Sequence, residues 1–152
     1  VGPTRTGYQD VEFGLLQLTE IAVRALSPGV NDPFTAGECA DRLGDALGRL
    51  AGRAFPPAER AGPDGRVRVV ARRPGFPDLL DAAFDPVRHH ARESPLVLGR
   101  LLDALAAVGA RTRRIADREA VRRHVERVLR AADGLPDADD RERVRGRAES
   151  FR

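Results

Sequence analysis

The 152-residue sequence has no lysine, no methionine and no tryptophan, and only one cysteine and one tyrosine. A lone Cys39 excludes an internal disulfide framework and fits a reducing compartment. No run approaches the ~18 apolar residues that a membrane-spanning helix needs, and no signal-peptide pattern opens the chain. Its uncharged stretches are as short as "ALAAVGA" at 104–110. Aromatic residues make up 5%, too few to interleave with basic side chains as single-stranded nucleic acid binding requires. With lysine absent, all 26 basic side chains are arginine, set against 23 acids. The net charge of +3 is small, and the pI near 10.2 reports arginine in place of lysine rather than a nucleic-acid footprint. GxSxG, P-loop, GxGxxG, CxxC and HExxH patterns are all missing, so nucleophilic catalysis has no positive support.

What is present is helical periodicity. From Asp10 to Leu26, the residues Leu15, Leu18, Ile21, Ala22, Ala25 and Leu26 recur at the spacing of one helix face. Pro28 and Gly29 stop that helix, glycine supplying a position that tolerates positive φ. Asp32 then serves as N-cap and Pro33 as first residue of a second helix, which runs to about Gly52 over Ala36, Ala40, Leu43, Leu47 and Leu50. Later helices are expected over about Pro77–Arg92, from the Ser94-Pro95 cap to about Arg113, over Asp117–Ala132, and as a highly charged segment over 137–151. Between the second and third, Pro63-Asp64-Gly65 signals a turn, and Arg66 and Arg68 alternate with Val67 and Val69 as in an amphipathic strand. Its partner would be a weak edge strand at 55–61, limited by Pro56 and Pro57. The expected architecture over residues 1–152 is one all-α domain, a five- to six-helix bundle with one small β-hairpin within about 55–72.

Five groupings could carry chemistry or contacts. Ser27, Asn31, Asp32 and Thr35 bring oxygen ligands to the corner "SPGVNDP", which also holds Pro28, Gly29 and Pro33; hard cations favour such oxygens and a helix start favours anions. Asp32 acting as its own cap favours the structural reading of that corner. Ala36, Ala40, Gly44, Gly48 and Gly52 form a ridge of small residues four apart, a face for close approach of helix one or of a second subunit. Asp78, Asp81 and Asp85 form an acidic stripe that is expected to be solvated, with Asp85 meeting Arg88 or His89. Adjacent His89 and His90 diverge by about 100° on a helix and cannot easily share an ion, so no metal is assigned. Eight arginines against three acids between Arg111 and Arg130 are expected to make a solvated face.

The segment "QDVEFGLLQLTEIAVRALSPGVNDPFTA", residues 9–36, resembles the bacterial predicted membrane proteins of domain-of-unknown-function family 2254. Gln9, Asp10, Phe13, Gly14, Gln17, Leu18, Ile21, Ala22, Arg24–Gly29, Asn31–Pro33, Thr35 and Ala36 carry the likeness, with Glu20 where aspartate is expected. "DGRVRVV.RRPGFPDLLDAAFD" at 64–85 is similar too. The resemblance implies a soluble C-terminal portion of a longer integral-membrane protein, at the cytoplasmic face. The expected partners are the transmembrane portion of the same chain and further copies of itself in a homo-oligomer, with no nucleic acid and no cofactor. The function expected is non-enzymatic assembly or regulation of an integral-membrane protein of channel- or transporter-like kind; the alternative is sensing of a cation or small anion at the corner.

Overall fold

The computed structural model describes residues 11–55, 59–70 and 74–151. Six helices follow one another: α1 Val11–Ala25, α2 Pro33–Ala51, α3 Phe76–His90, α4 Pro95–Gly109, α5 Ile115–Ala132 and α6 Ala138–Arg147, the last continued by a 3₁₀ turn at Ala148–Phe151. Between α2 and α3 lies an antiparallel pair, β1 Glu59–Ala61 with β2 Val67–Val70. The chain is mostly all-α, as its periodicity predicts. Gln9, Asp10, Pro56 and Pro57, which entered the sequence argument, lie outside the described residues, as do positions 71 and 72 at the end of the expected hairpin.

The termini of the helices follow from local chemistry. Asp32 caps α2 by accepting the Thr35 amide, and Ser94 caps α4 by accepting the Val97 amide. Both are followed by proline at the first helical position, where the missing N–H is no loss. Asp78 folds back to accept the Gly75 amide at 2.8 Å and so closes the start of α3. Pro86 sits inside α3, where it removes one backbone hydrogen bond. The helix continues because Ala83, Phe84 and Val87 around it are fully buried.

Helix α4 is the centre of the packing. It lies most extensively on α2 and also meets α5, α6 and α3, while α1 covers α2 and α3. The fully buried Leu98, Leu101, Leu102 and Leu105 of α4 interlock with Leu43 and Leu47 of α2 and with Leu80 and Phe84 of α3 in one continuous core. Fully burying one leucine stabilises by about 1.5–3 kcal/mol, so this seam dominates the fold.

On the small-residue ridge of α2, Gly44 faces α4 and Gly48 faces Arg111 just beyond it. A Cβ built on Gly44 would lie 2.7 Å from the Ala104 Cβ and 3.0 Å from its Cα, and one on Gly48 would lie 2.7 Å from the Arg111 guanidinium. Ala36, Ala40, Gly44 and Gly48 are buried inside this chain, while Gly52 is exposed with open space beside it. Gly44 therefore permits the close approach of α2 and α4, and Gly48 leaves room for the Arg111 side chain, while four of the five ridge residues present no surface to a second subunit.

The hairpin forms where the sequence places it, with Val67 and Val70 exposed. Its turn holds by local bonds: Gly65 takes φ +73°, and the Asp64 carboxylate accepts from the Arg66 amide and the Arg68 guanidinium. A register slip between Arg60 and Ala61 interrupts the short ladder.

Candidate functional site

The "SPGVNDP" corner closes on itself. The Ser27 hydroxyl donates to Arg24 O at 2.7 Å, and Ser27 O in turn accepts from the Val30 and Asn31 amides. The Asp32 amide donates to Ala25 O, the Thr35 amide to Asp32 Oδ1, and the Thr35 hydroxyl to Asp32 Oδ2 at 2.6 Å. Those bonds from the Thr35 hydroxyl and amide hold the Asp32 carboxyl below the usual carboxylate range. Pro28 and Gly29 are exposed at the tip of the turn, and Pro33 starts α2. The left-handed residue is Asn31, with φ +48°, and not Gly29. Asparagine tolerates that region better than most residues, so it turns the chain here. The oxygens that Ser27, Asp32 and Thr35 would offer a ligand are spent on the corner's own geometry.

A different constellation spans α3 and α5. Asp81 and Asp85 are four apart on α3, and His124 and Arg127 three apart on α5, so each pair projects from one face toward the other helix. His124 Nε2 lies 2.8 Å from Asp81 Oδ1. Arg127 Nη1 donates to Asp81 Oδ1 and Asp85 Oδ2, both at 2.8 Å, and Arg88 donates to Asp85 Oδ1. The acidic stripe is therefore divided by role. Asp78 caps its own helix, Asp85 meets Arg88 as expected, and Asp81 is not simply solvated but ties α3 to α5.

His124 is the buried member of this group, 1% exposed and edge-on to Phe84. Because ionised Asp81 only accepts, the Nε2 carries the proton and Nδ1 keeps a bare lone pair. That Nδ1 is the one buried side-chain polar atom without a hydrogen-bond partner among the described residues, and it stands 3.9 Å from Asp85 Oδ1. Burial pushes the His124 pKa down despite the upward pull of Asp85 and Asp81. Burial would raise Asp81, but the hydrogen bonds from Arg127 and His124 outweigh it and leave its carboxyl below the ordinary value. Arg127 is held protonated more firmly than a free guanidinium, since both aspartates outweigh its partial burial.

The ligand atoms of Asp81, Asp85 and His124 lie within 4.8 Å of one another, a spacing that a cation could use. The Arg127 guanidinium already stands between the two carboxylates, so the group is a charge-paired node.

Beside the node opens a cleft of about 630 Å³ lined by Arg88, Arg92, Glu93, Arg127, Arg130, Ala131 and Gly134. Four guanidiniums face one carboxylate there. Arg88 and Arg127 belong to both the node and the cleft wall, whereas Arg130 has only a 3.9 Å approach to Glu126 and is 67% exposed. His89 and His90 are exposed at the end of α3, where Arg92 bonds the His89 ring and His90 bonds Pro86 O.

The expectation of a solvated arginine face between 111 and 130 holds only in part. Arg111 packs on Gly48. Arg114 stacks 5.2 Å over Phe55, reaches Arg53 O and pairs with the buried Asp117, while Arg118 bonds Thr112 O. Sequence reasoning also passed over His124. Its signal was position: it falls between Val121, Val125 and Val128 in the apolar stripe of α5, where a polar ring must find a partner on the facing helix.

The chain is thus a helical bundle in which a buried histidine joins a carboxylate–arginine node between α3 and α5, with no described helix long and apolar enough to cross a membrane. It belongs to the family described as predicted membrane proteins (DUF2254), whose model matches residues 1–107. Among curated proteins it is similar to an uncharacterised protein of Mycobacterium bovis and to two of Mycobacterium tuberculosis. Each is 37% identical over 149 residues, which is 97% of this chain and 29% of the relative. The chain therefore spans under a third of the length of these relatives. No solved structure matches it.

Proposed function

We propose that this chain is a non-catalytic regulatory domain of an integral-membrane protein, placed at the cytoplasmic face, and that it responds to a small anion bound in the α3–α5 cleft. The observation that carries the reading is the cleft itself: four arginines against one glutamate, in a space of about 630 Å³. Guanidiniums suit planar, bidentate recognition of oxyanions and stay charged at every physiological pH. The neighbouring carboxylates are compensated by Arg88 and Arg127, and the buried His124 is not among the residues that line the cleft, which favours binding over catalysis. At the corner, the other candidate for such a ligand, the side chains of Ser27, Asp32 and Thr35 are engaged locally.

Thermal unfolding with sulfate or inorganic pyrophosphate tests this. Saturation to 100 times the dissociation constant should add about 2.7 kcal/mol of stability, and Arg130→Ala should reduce that gain. An unmoved melting temperature with both anions counts against the reading.

A second reading, self-assembly, has its own observation. Ile21, Val30 and Phe34 flank the α1–α2 corner and are 50%, 57% and 71% exposed. A second copy covering them would form a homo-oligomer through this corner, since Ala36, Ala40, Gly44 and Gly48 of the Ala/Gly ridge are buried within the chain.

A further inference from the structure

Arg127 belongs to two environments at once. Its Nη1 lies 2.8 Å from Asp81 Oδ1 and 2.8 Å from Asp85 Oδ2, and the same side chain forms part of the cleft wall. Behind it, the unpartnered Nδ1 of His124 faces Asp85 Oδ1 at 3.9 Å. We infer that binding of a doubly charged oxyanion in the cleft, a phosphate ester or a sulfate, is coupled to uptake of a proton at His124 Nδ1. The inference rests on the anion-sensing reading and adds the ligand's chemical class and its control by pH.

The coupling follows from charge. An oxyanion in the cleft accepts hydrogen bonds from Arg127 and Arg88, the two guanidiniums that compensate Asp81 and Asp85. Each donor turned toward the ligand leaves those carboxylates less compensated, and under-compensated carboxylates favour the charged form of an adjacent imidazole. The proton goes to Nδ1 because Nε2 already donates to Asp81. The new N–H is directed at Asp85, and the imidazolium replaces charge that the arginines have lent to the ligand.

The groups facing His124 are few. Asp81 and Asp85 come from α3, and Arg127 from α5 itself. No charge of α4 or α6 is among the groups that act on His124: on α4, Arg100 pairs with Asp41 and Asp103 with Arg147, and on α6, Arg143 pairs with Asp140, Arg145 with Asp133, and Arg141 donates to the Leu135 and Pro136 carbonyls. Reciprocity then fixes the sign: if the oxyanion raises proton affinity, the proton raises oxyanion affinity by the same factor. Affinity should increase as pH falls, by at most about tenfold per pH unit for a single proton.

Sulfate is the probe of choice, because its own charge does not change between about pH 5.5 and 8.5, the range where histidine titrates. Calorimetric titration in two buffers of different ionisation enthalpy gives the protons taken up per sulfate bound, expected between zero and about one. His124→Asn should bind sulfate with that uptake reduced, and Arg130→Ala should bind several-fold more weakly with uptake per bound sulfate retained. On the unaltered chain, NMR titration of the His124 ring should show its pKa raised by saturating sulfate, a readout that stands even if His124→Asn does not fold. Sulfate binding with the His124 titration unmoved overturns the coupling and leaves anion sensing intact. Failure of sulfate to bind at any pH in this range overturns the coupling, and failure of pyrophosphate as well overturns the anion-sensing reading with it.

Discussion

His124 Nε2 donates to Asp81 Oδ1 across 2.8 Å, so a fully buried imidazole on α5 is anchored by an α3 carboxylate that is itself 42% exposed. Burial lowers the ring's pKa, and hydrogen bonding lowers the carboxyl's. The two shifts act on stability in the same direction. The unfolded chain protonates this histidine near 6.5 while the folded chain resists, so the unfolded state binds more protons below that pH and stability falls on acidification. Asp81 adds a further loss as pH drops through 3.8 and below. The slope for one proton cannot exceed about 1.4 kcal/mol per pH unit, and Asp81's share is smaller because solvent screens it. Melting temperatures measured without added oxyanion at pH 8, 6.5 and 5.5 should decline in that order. A rise toward acid would show that the imidazole is already charged in the folded state.

Gly44 and Gly146 separate packing from propensity. Both are helical, and alanine in place of an interior helical glycine gains about 1 kcal/mol from propensity alone. At Gly44 the new methyl would sit 2.7 Å from the Ala104 Cβ and 3.0 Å from its backbone, so α2 and α4 must part. Overpacking of this kind costs about 1–3 kcal/mol, which outweighs the gain. Gly146 has nothing within 4 Å. Gly44→Ala should therefore lower stability to denaturant and Gly146→Ala should raise it; equal behaviour would mean that α4 does not press on the ridge.

The corner makes a paired prediction of opposite signs. Asp32→Ala removes the acceptor for the Thr35 amide and hydroxyl and should cost about 1 kcal/mol, the usual value of an N-cap. Asn31→Gly relieves a φ of +48° and should be neutral or slightly stabilising, although glycine widens the unfolded ensemble. A loss of more than 2 kcal/mol from Asn31→Gly, measured by denaturant unfolding, would point to a role for the asparagine side chain beyond its backbone geometry.

Much of this fold was legible in local chemistry. Asp32-Pro33 and Ser94-Pro95 announce helix starts because capping is decided within four residues, and leucines three and four apart announce faces. Which faces meet was not legible. Gly44 proclaims a close approach, yet only the tertiary arrangement decides that Ala104 rather than helix one makes it. Asp81 illustrates the same limit: on α3 alone it is an exposed helical acid, and it becomes part of a node only because α5 brings His124 and Arg127 to it from more than forty residues away. His124 was hidden for the complementary reason, since a histidine within a valine stripe declares its burial but not its partner.

The exposed apolar residues at the α1–α2 corner give a prediction that distinguishes assembly from isolated function. Phe34 is 71% exposed although α2 buries Ala36, Ala40 and Leu43 just beyond it, so its ring contributes nothing to the core of this chain. Ile21 on α1 and Val30 in the turn are exposed on either side of the same corner. Phe34→Ser combined with Ile21→Ser should leave melting of the dilute chain nearly unchanged, because surface substitutions of this kind alter stability by about 0.5 kcal/mol or less. If copies associate through this corner, the double variant should run as a smaller species than the parent chain in light scattering across a dilution series. A parent chain that is monomeric at every concentration would remove self-assembly and leave the arginine cleft as the basis of regulation. An oligomer that survives the double substitution would place the interface on another face, and the corner would then be a hinge between two helices with an exposed ring beside it.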